Sequence, residues 1–291
     1  MKRKIAFIIN PISGPHKHDR VADMIDDLID SRLFLYDIVL TEYAGHASQL
    51  AKEFAAKDYY AVIAVGGDGT VNEVANGLIG TNTALGIIPS GSGNGLARHL
   101  GVSTNINYSI QKLNNSESIS IDYGVVNNIP FFSTFGVGFD AVVSHSFNNT
   151  KRGLIGYAKS VIKVFFQYKL DTYHCFYDDV EITTNAFLIN IANAGQYGYN
   201  TYIAPHANLQ DGKLDLVVVH RFPIISAVCV ILHLFTKSID KSRFVKTLPI
   251  KNITIIREND TLAHIDGTPI DLGKELQVKI VEKGLKVLLN R

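Results

Sequence analysis

Three short segments carry residues that could grip a phosphate. The first is Gly66-Gly67-Asp68-Gly69-Thr70, directly after the apolar run 61–65 and just before a helical pattern. Glycines let main-chain amides approach an anion closely and adopt positive φ. The helix start behind them adds unpaired N–H groups and a partial positive charge. Asp68 is the informative member, because a carboxylate beside a phosphate repels it unless a cation such as Mg²⁺ lies between them. The same pentapeptide also makes a tight turn capped by Asp68 or Thr70. The second segment, Pro89-Ser90-Gly91-Ser92-Gly93-Asn94-Gly95, follows the run 84–88 and opens another helix; the third, Asn10-Pro11-Ile12-Ser13-Gly14, follows the first apolar run. No G-x-x-x-x-G-K-[ST] loop is present, nor any G-x-G-x-x-G with a downstream ribose acid, so neither a P-loop nor a Rossmann dinucleotide site fits.

Other reactive residue types do not assemble into a motif. The chain has 10 histidines but no H-E-x-x-H spacing. Gly91-Ser92-Gly93 lacks the flanks of a nucleophile elbow. His16-Lys17-His18 beside the Asn10–Gly14 loop reads as a solvated segment that could also touch phosphate. Arg98-His99, one turn into the helix after the second loop, reads equally as phosphate neutralisation or as a solvent-facing pair.

The elements that must hold these loops follow from periodicity. Over residues 1–120, apolar strands at 4–9, 35–40, 61–65 and 84–88 alternate with helical patterns at 21–29, 47–56, 70–78 and 93–100. Repeated β-α-β with continuous apolar strands predicts a parallel sheet covered by helices on both faces. Ligands in such sheets bind at the carboxyl ends of the strands, which is where all three loops fall. From about residue 119 the rhythm changes to strands at 119–126, 131–135, 172–177, 181–192, 214–220, 244–256, 262–265, 276–281 and 285–289, many joined by Asp-Gly, Asn or Gly turns. That half, 121–291, is expected to be a mainly antiparallel β-sandwich interrupted by helices at 154–168 and 224–236, its last strand free to return to the first domain.

Composition narrows the class. Hydrophobic residues are 46% and charged residues 19% of the 291, a globular mix with a large core. With 28 basic and 27 acidic residues the net charge is +1, which gives no long-range attraction to a polyanion and argues against a nucleic-acid binder. Two cysteines provide no disulfide framework, the usage of a reducing compartment. The apolar run behind Met1-Lys2-Arg3-Lys4 stops at Asn10-Pro11, short of the roughly 7–15 residues of a secretory core. No apolar run reaches the ~18 residues of a membrane span. The expectation is a soluble cytoplasmic chain.

Taken together, Asn10-Pro-Ile-Ser-Gly14, Gly66-Gly-Asp-Gly-Thr-Val-Asn-Glu73 and Pro89-Ser-Gly-Ser-Gly-Asn94 resemble the diacylglycerol kinase catalytic-domain family, which includes bacterial lipid kinases and, more distantly, sphingosine and ceramide kinases. Asp122-Tyr-Gly124, Phe135-Gly-Val-Gly-Phe-Asp140 and Asp211-Gly212 extend the resemblance over nearly the whole chain. It implies an α/β nucleotide domain similar to those of phosphofructokinase and NAD kinase, a β-sandwich carrying the lipid site, and ATP with Mg²⁺ as cofactors. By resemblance, Asn10, Ser13, Gly14 and Thr41 surround the nucleotide. Gly66, Gly67, Asp68, Gly69 and Thr70 hold the phosphates, with Asp68 near the catalytic Mg²⁺ and Asn72 and Glu73 supporting. Ser92 stands where the family usually has Thr. A structural Mg²⁺ in the second domain falls, by position, to Asp211, Asn208 and Lys213; an ordinary hairpin turn is the competing reading of Asp211-Gly212.

Two acidic positions of the pattern are absent. Gly95 follows Asn94 where Asp is common, and Ile265-Asp266-Gly267-Thr268 replaces the Asp-Gly-Glu turn whose Glu is the family's proposed general base. Thr268 can position or relay a proton but not accept one at neutral pH. Asp266, two residues earlier, shares a face with it if the segment is extended, and is the expected substitute acceptor.

The apolar stretch 222–235 reads as a helix buried in the core, with membrane contact as the alternative. The helix 154–168, with Lys151, Arg152, Lys159, Lys163 and Lys169, reads as a solvated face or a second membrane contact. The activity implied is transfer of a phosphoryl group from ATP to a lipid hydroxyl presented at the inner face of a membrane, with diacylglycerol leading. The alternatives are a nucleotide-binding pseudokinase and an NAD-type kinase. A homodimer is left open.

Overall fold

The computed structural model describes residues 2–14, 18–148, 161, 164–165, 167–178, 180–259 and 262–289. They form two compact units, Met1–Asp122 with Glu282–Arg291, and Tyr123–Val281. Most of the helix expected over 154–168, with Lys151, Arg152, Lys159 and Lys163, lies outside the described residues, as do His16 and Lys17.

The first unit runs β1 (Arg3–Ile9), α1 (His18–Leu28), β2 (Phe34–Leu40), α2 (His46–Ala56), β3 (Ala61–Gly66), α3 (Asp68–Leu78), β4 (Ala84–Pro89), α4 (Gly95–His99) and α5 (Ile106–Leu113). The strands pair in parallel in the order β4-β3-β1-β2. Every residue of β3 and β4 is buried, which is why both read as unbroken apolar runs rather than alternating ones. Register sets the function of this sheet: Ile9 stands opposite both Leu40 and Val65, and Val65 opposite Ile88. The strands therefore end level, and the loops that leave them emerge side by side. α3 begins at Asp68, two residues before the expected 70–78 pattern, so Gly69 is helical. α5 escaped the periodicity reading although Ile106, Ile110 and Leu113 form its buried face and Asn105 caps it by accepting from Tyr108 N at 3.1 Å.

The second unit is an antiparallel β-sandwich. Its elements are the end of β5 (Glu117–Val126), β6 (Ile129–Phe131), β7 (Thr134–Gly138), α6 (Phe139–Asn148), β8 (Asp171–Tyr177), β9 (Val180–Ala192), β10 (Gln196–Gly198), β11 (Thr201–Tyr202), β12 (Leu214–His220), α7 (Ile224–Phe235), a short turn Ile239–Lys241, β13 (Val245–Ile250), β14 (Asn252–Arg257), β15 (Ala263–Ile265), β16 (Thr268–Ile270) and β17 (Glu275–Leu289). Strand β9 pairs with β7, β8 and β12. Its core gathers Phe131, Phe135, Tyr173, Ile189, Ile191 and Leu276. From Glu282 onward β17 belongs to the first unit, where Val287 pairs in parallel with Leu85 of β4.

Several boundaries differ from the expected ones for identifiable reasons. The strand expected over 131–135 is broken into β6 and β7, because Phe132 N, Ser133 N and Thr134 N all turn to the Asp266 carboxylate. The run 244–256 divides at Lys251, with β13 pairing to β12 and β14 to β8 and β17. The expected strands 276–281 and 285–289 are one, and α6 was not foreseen. The expectation that 222–235 is a core helix is overturned: in α7 only Val230 is buried, and Ile225 is 84% and Val228 63% exposed. Among the described residues no helix is long and apolar enough to cross a membrane.

Candidate functional site

Three glycine loops meet at the carboxyl end of the parallel sheet. Asn10 hydrogen-bonds from its backbone N to Val65 O at 3.0 Å, and its Nδ2 donates to Thr70 Oγ1 at 3.1 Å, tying the Asn10–Gly14 loop to the end of β3 and to α3. Its Oδ1 accepts from Ile12 N at 3.1 Å, which folds the loop back on itself. Ser90 Oγ lies 3.5 Å from Ser13 Oγ, and Ser90 N and Gly91 N donate to Gly66 O at 2.9 and 3.3 Å. Gly14 has φ +81°, and a Cβ there would strike the Ser90 carbonyl. A Cβ on Gly67 would stand 3.3 Å from Gly91 Cα, so the two loops run backbone against backbone. Only glycine permits that approach.

Asp68 joins the loops electrostatically. Its Oδ2 accepts from Asn94 N at 2.8 Å and its Oδ1 from Gly95 N at 2.6 Å. Those amides open α4, so the carboxylate sits at a helix N-terminus from outside the helix. Asn94 adopts φ +55° and donates from Nδ2 to Gly91 O at 2.7 Å, locking the second loop into the turn that presents both amides. Gly95, where the family's Asp is missing, is thus a buried helix start whose amide serves Asp68.

A carboxylate oxygen can in general accept more than one hydrogen bond or ligate a cation. Mg²⁺ keeps several waters and is held by one or two carboxylates plus substrate phosphates. Asp68 is the carboxylate at these loops that such an ion would use, and among the described residues there is no group of three or more His, Cys, Asp or Glu that could hold a metal. The remaining expected residues divide by distance from the loops. Thr41 N donates to Ile9 O at 2.9 Å, which places it beside Asn10. Glu73 Oε2 accepts from Ala47 N at 3.2 Å and secures the start of α2, while Asn72 accepts from Asn76 Nδ2 through O at 2.9 Å and Oδ1 at 2.8 Å. Ser92 is exposed at the tip of its loop, and Gly69 is exposed in the first turn of α3. Beside the second loop lies a cavity of about 390 Å³ lined by Arg20, Ser90, Gly91, Asn94, Arg98 and the 104–107 turn. Arg98 Nε donates to Gly93 O at 3.0 Å, and burial lowers the pKa of His99, favouring the neutral imidazole.

In the second unit the expected acid–base residues take a different shape. Asp266 and Gly267, with φ of +48° and +80°, are the two-residue turn between β15 and β16. The Asp266 carboxylate accepts Phe132 N at 3.0 Å, Ser133 N at 2.7 Å and Thr134 N at 2.9 Å. Its oxygens clamp the turn before β7, a structural duty that the expected proton acceptor carries as well. Thr268 is exposed at the start of β16.

At the expected structural-metal turn, Asn208 Oδ1 accepts from Gln210 N at 3.0 Å and Asp211 Oδ1 from Lys213 N at 3.1 Å, with Gly212 at φ +69°. Burial and the neighbouring Asp211 push Asp215 up to about 6.

One cluster had no assigned role in the sequence. Asp140 is buried, and its Oδ2 meets Tyr197 OH at 3.0 Å, His264 Nε2 at 3.1 Å and Asn190 Nδ2 at 3.4 Å, while Oδ1 accepts from Ala141 N at 2.8 Å. A Cβ on Gly136 would strike both Asp140 and His264. The Phe135-Gly-Val-Gly-Phe-Asp140 motif marked the Asp and its glycine, but His264, Tyr197 and Asn190 come from distant segments with no spacing to betray them. Likewise Asp122, buried in the first unit, accepts from Lys283 N at 2.6 Å and pins the returning strand.

Comparison with known proteins follows this architecture. Residues 4–126 match the diacylglycerol kinase catalytic domain, and residues 133–288 match the YegS C-terminal NAD kinase beta sandwich-like domain. The uncharacterized Synechocystis protein sll0036 is 28% identical over 293 residues, covering 96% of this chain; the chain spans 64% of that relative's length. A Staphylococcus epidermidis diacylglycerol kinase is 30% identical over 230 residues, covering 76% of this chain and 72% of the relative. A solved structure described as "a putative diacylglycerol kinase" from Bacillus anthracis superposes with a TM-score of 0.83 at 25% identity, covering 99% of this chain and 97% of the other. The level strand ends, the glycine loops meeting above them and these matches across both units have one reading: the chain belongs to the diacylglycerol kinase catalytic-domain family of bacterial lipid kinases.

Proposed function

We propose that the protein is an ATP- and Mg²⁺-dependent kinase that transfers the γ-phosphoryl group to a lipid hydroxyl, with diacylglycerol the first substrate to test. The observation that carries this reading is the meeting of Asn10–Gly14, Gly66–Thr70 and Ser90–Gly95 around Asp68. Phosphoryl transfer asks a protein mainly for positioning and charge neutralisation. The loops' amides and the N-terminus of α3 suit the phosphate oxygens, and Asp68 suits the metal that would neutralise the charge developing on the β and γ groups. The lipid oxygen would form the new bond to γ-phosphorus as the bond from γ-phosphorus to the bridging oxygen breaks and ADP leaves, the hydroxyl proton passing to a phosphoryl oxygen or to solvent. Several curated relatives carry the name diacylglycerol kinase, which supports that lipid as the leading acceptor.

A second reading rests on Thr268. A general base contributes roughly 10²–10⁴-fold, and the hairpin that bears it in the family holds a hydroxyl here, with Asp266 engaged by three amides. A nucleotide-binding protein without transfer would have this hairpin. Radiolabelled ATP with Mg²⁺ and diacylglycerol, a mixed lipid extract or NAD decides between them. Labelled phosphatidic acid or another chloroform-soluble phosphate ester supports the kinase. Binding of Mg-ATP without any product supports the second reading, and labelled NADP would move the protein to the NAD-type kinases.

A further inference from the structure

The outer face of α7 is apolar from end to end. Ile224, Ile225, Val228, Ile231, Leu232 and Phe235 recur at helical spacing and are all exposed, between 45% and 84%. On the inner side Val230 is buried, Ala227 is partly buried, and Leu234 packs against the buried cluster that includes Phe139, Phe187 and Val219. A helix on a water-facing surface normally places polar residues opposite its buried stripe; α7 has none there. The charges sit at its ends instead. Arg221 precedes it, and Lys237, Lys241 and Arg243 follow it, all exposed. Lys237 lies over the Tyr202 ring at 4.5 Å and Arg243 over the Phe244 ring at 4.8 Å, which fixes two of these cations beside the helix. The one acidic residue of this segment, Asp240, has His206 Nε2 at 3.7 Å.

We propose that this face is a bilayer-docking surface: the apolar stripe of α7 enters the boundary between headgroups and acyl chains, and the basic residues at both ends meet anionic lipid. An in-plane interfacial helix combines an apolar face with flanking Lys and Arg in this way. At 12 residues, α7 is about 18 Å long, too short for the ~30 Å hydrocarbon core, so it lies on the membrane rather than across it. Charge decides between the two coverings an apolar face can have. A second copy of the chain would bring the same four cations against these, whereas an anionic bilayer complements them. The inference stands on the surface of the second unit and does not depend on phosphotransfer.

Cys229 is exposed on α7, and Cys175 is buried, so an environment-sensitive fluorophore attached to the full-length protein reports from the helix itself. Sucrose-loaded vesicles of phosphatidylcholine alone, or mixed with phosphatidylglycerol, are used without nucleotide or diacylglycerol. The expected result is co-sedimentation with the mixed vesicles, weakened by salt, and a blue shift of the Cys229 label. The double variant Ile225→Ser with Val228→Ser, both sites being solvent-exposed, is expected to melt with the wild type and to lose vesicle partitioning at least tenfold. Arg221→Gln with Lys241→Gln is expected to lose the preference for phosphatidylglycerol while keeping the weaker binding. Wild-type protein that stays in the supernatant, or a folded Ile225→Ser/Val228→Ser variant that binds like wild type, overturns the proposal. So does sedimentation velocity showing a wild-type dimer that this variant turns into a monomer without any vesicle binding, because a second copy then covers the face.

Discussion

Gly91 and Gly67 approach each other so closely that a Cβ on Gly91 would collide with Gly67 Cα. The contact joins the loop after β4 to the loop after β3, and it holds two sets of amides in one place. Replacing Gly91 by Ala forces the loops apart, at a cost of about 1–3 kcal/mol for overpacking, and should weaken Mg-ATP binding at least tenfold. Gly69 is the informative partner experiment. Nothing lies within 4 Å of a Cβ there, and the residue is in the first turn of α3. Gly69→Ala should leave the melting temperature equal or higher, since Ala in a helix is favoured by up to about 1 kcal/mol, yet still weaken nucleotide binding if phosphate lies over that amide. Calorimetry and thermal melts on both variants read this; a Gly91→Ala protein with unchanged melting and affinity would show that the loops need no such contact.

Asp68 is bonded to Asn94 N and Gly95 N, and in the proposed reading it is also the carboxylate that would face a cation. Asp68→Asn separates the two duties. Losing the negative charge at the α4 N-terminus is worth about 0.3–1 kcal/mol of stability, and losing the charge opposite the metal should reduce transfer by about 10²–10³-fold. ATP affinity measured with and without Mg²⁺ should differ strongly in the wild type and hardly at all in the variant. An undiminished Mg²⁺ effect in Asp68→Asn would reduce Asp68 to a helix cap.

How much of this was legible in the sequence depended on range. β3 and its glycine loop were readable because strand, turn and helix start are consecutive, and a buried parallel strand needs no partner to be recognised. The break at 132–134 was invisible, because its cause, Asp266, is more than 130 residues away. α7 was misjudged for a different reason. A helix apolar all round is buried in most folds, and composition does not reveal which of its sides the rest of the chain covers. Asp140 was marked by its motif, but its partners His264 and Tyr197 meet it only through the pairing of β7 with β15 and the turn after β9.

Thr268→Glu restores a carboxylate at an exposed hairpin position, where a substitution is usually worth within about 0.5 kcal/mol. Transfer to diacylglycerol should rise by up to about 10²-fold if the base is what the hairpin lacks. Asp266→Asn should act on folding instead: the three amides lose their anionic acceptor, costing about 1–3 kcal/mol. Thin-layer assays and urea titrations separate the effects. A stable Asp266→Asn protein with abolished turnover would return Asp266 to the chemistry.

Asp140→Ala removes the shared acceptor of Tyr197, Asn190 and His264 in the interior of the second unit. Leaving a buried partner uncompensated costs about 3–5 kcal/mol, so the urea midpoint should fall sharply, while Asp140→Asn, which keeps the shape, should lose less. A midpoint for Asp140→Ala within about 0.5 kcal/mol of wild type would mean that the cluster carries no stability.

Burial pushes the Cys175 thiol up to about 12 from an ordinary 9, and Cys229 is exposed. Ellman's reagent should therefore titrate one thiol in the native protein and two in denaturant. The sign of the stability effect follows from which state binds the proton more tightly. The folded state does, so the contribution of Cys175 is complete below pH 9 and is lost as pH rises toward 12. Wild type should lose stability from about pH 8 to about pH 11 more steeply than Cys175→Ala, even though the variant starts lower because of its cavity. Parallel slopes would mean that the thiol ionises as readily in the folded sheet as in the unfolded chain, and that β8 admits water around it.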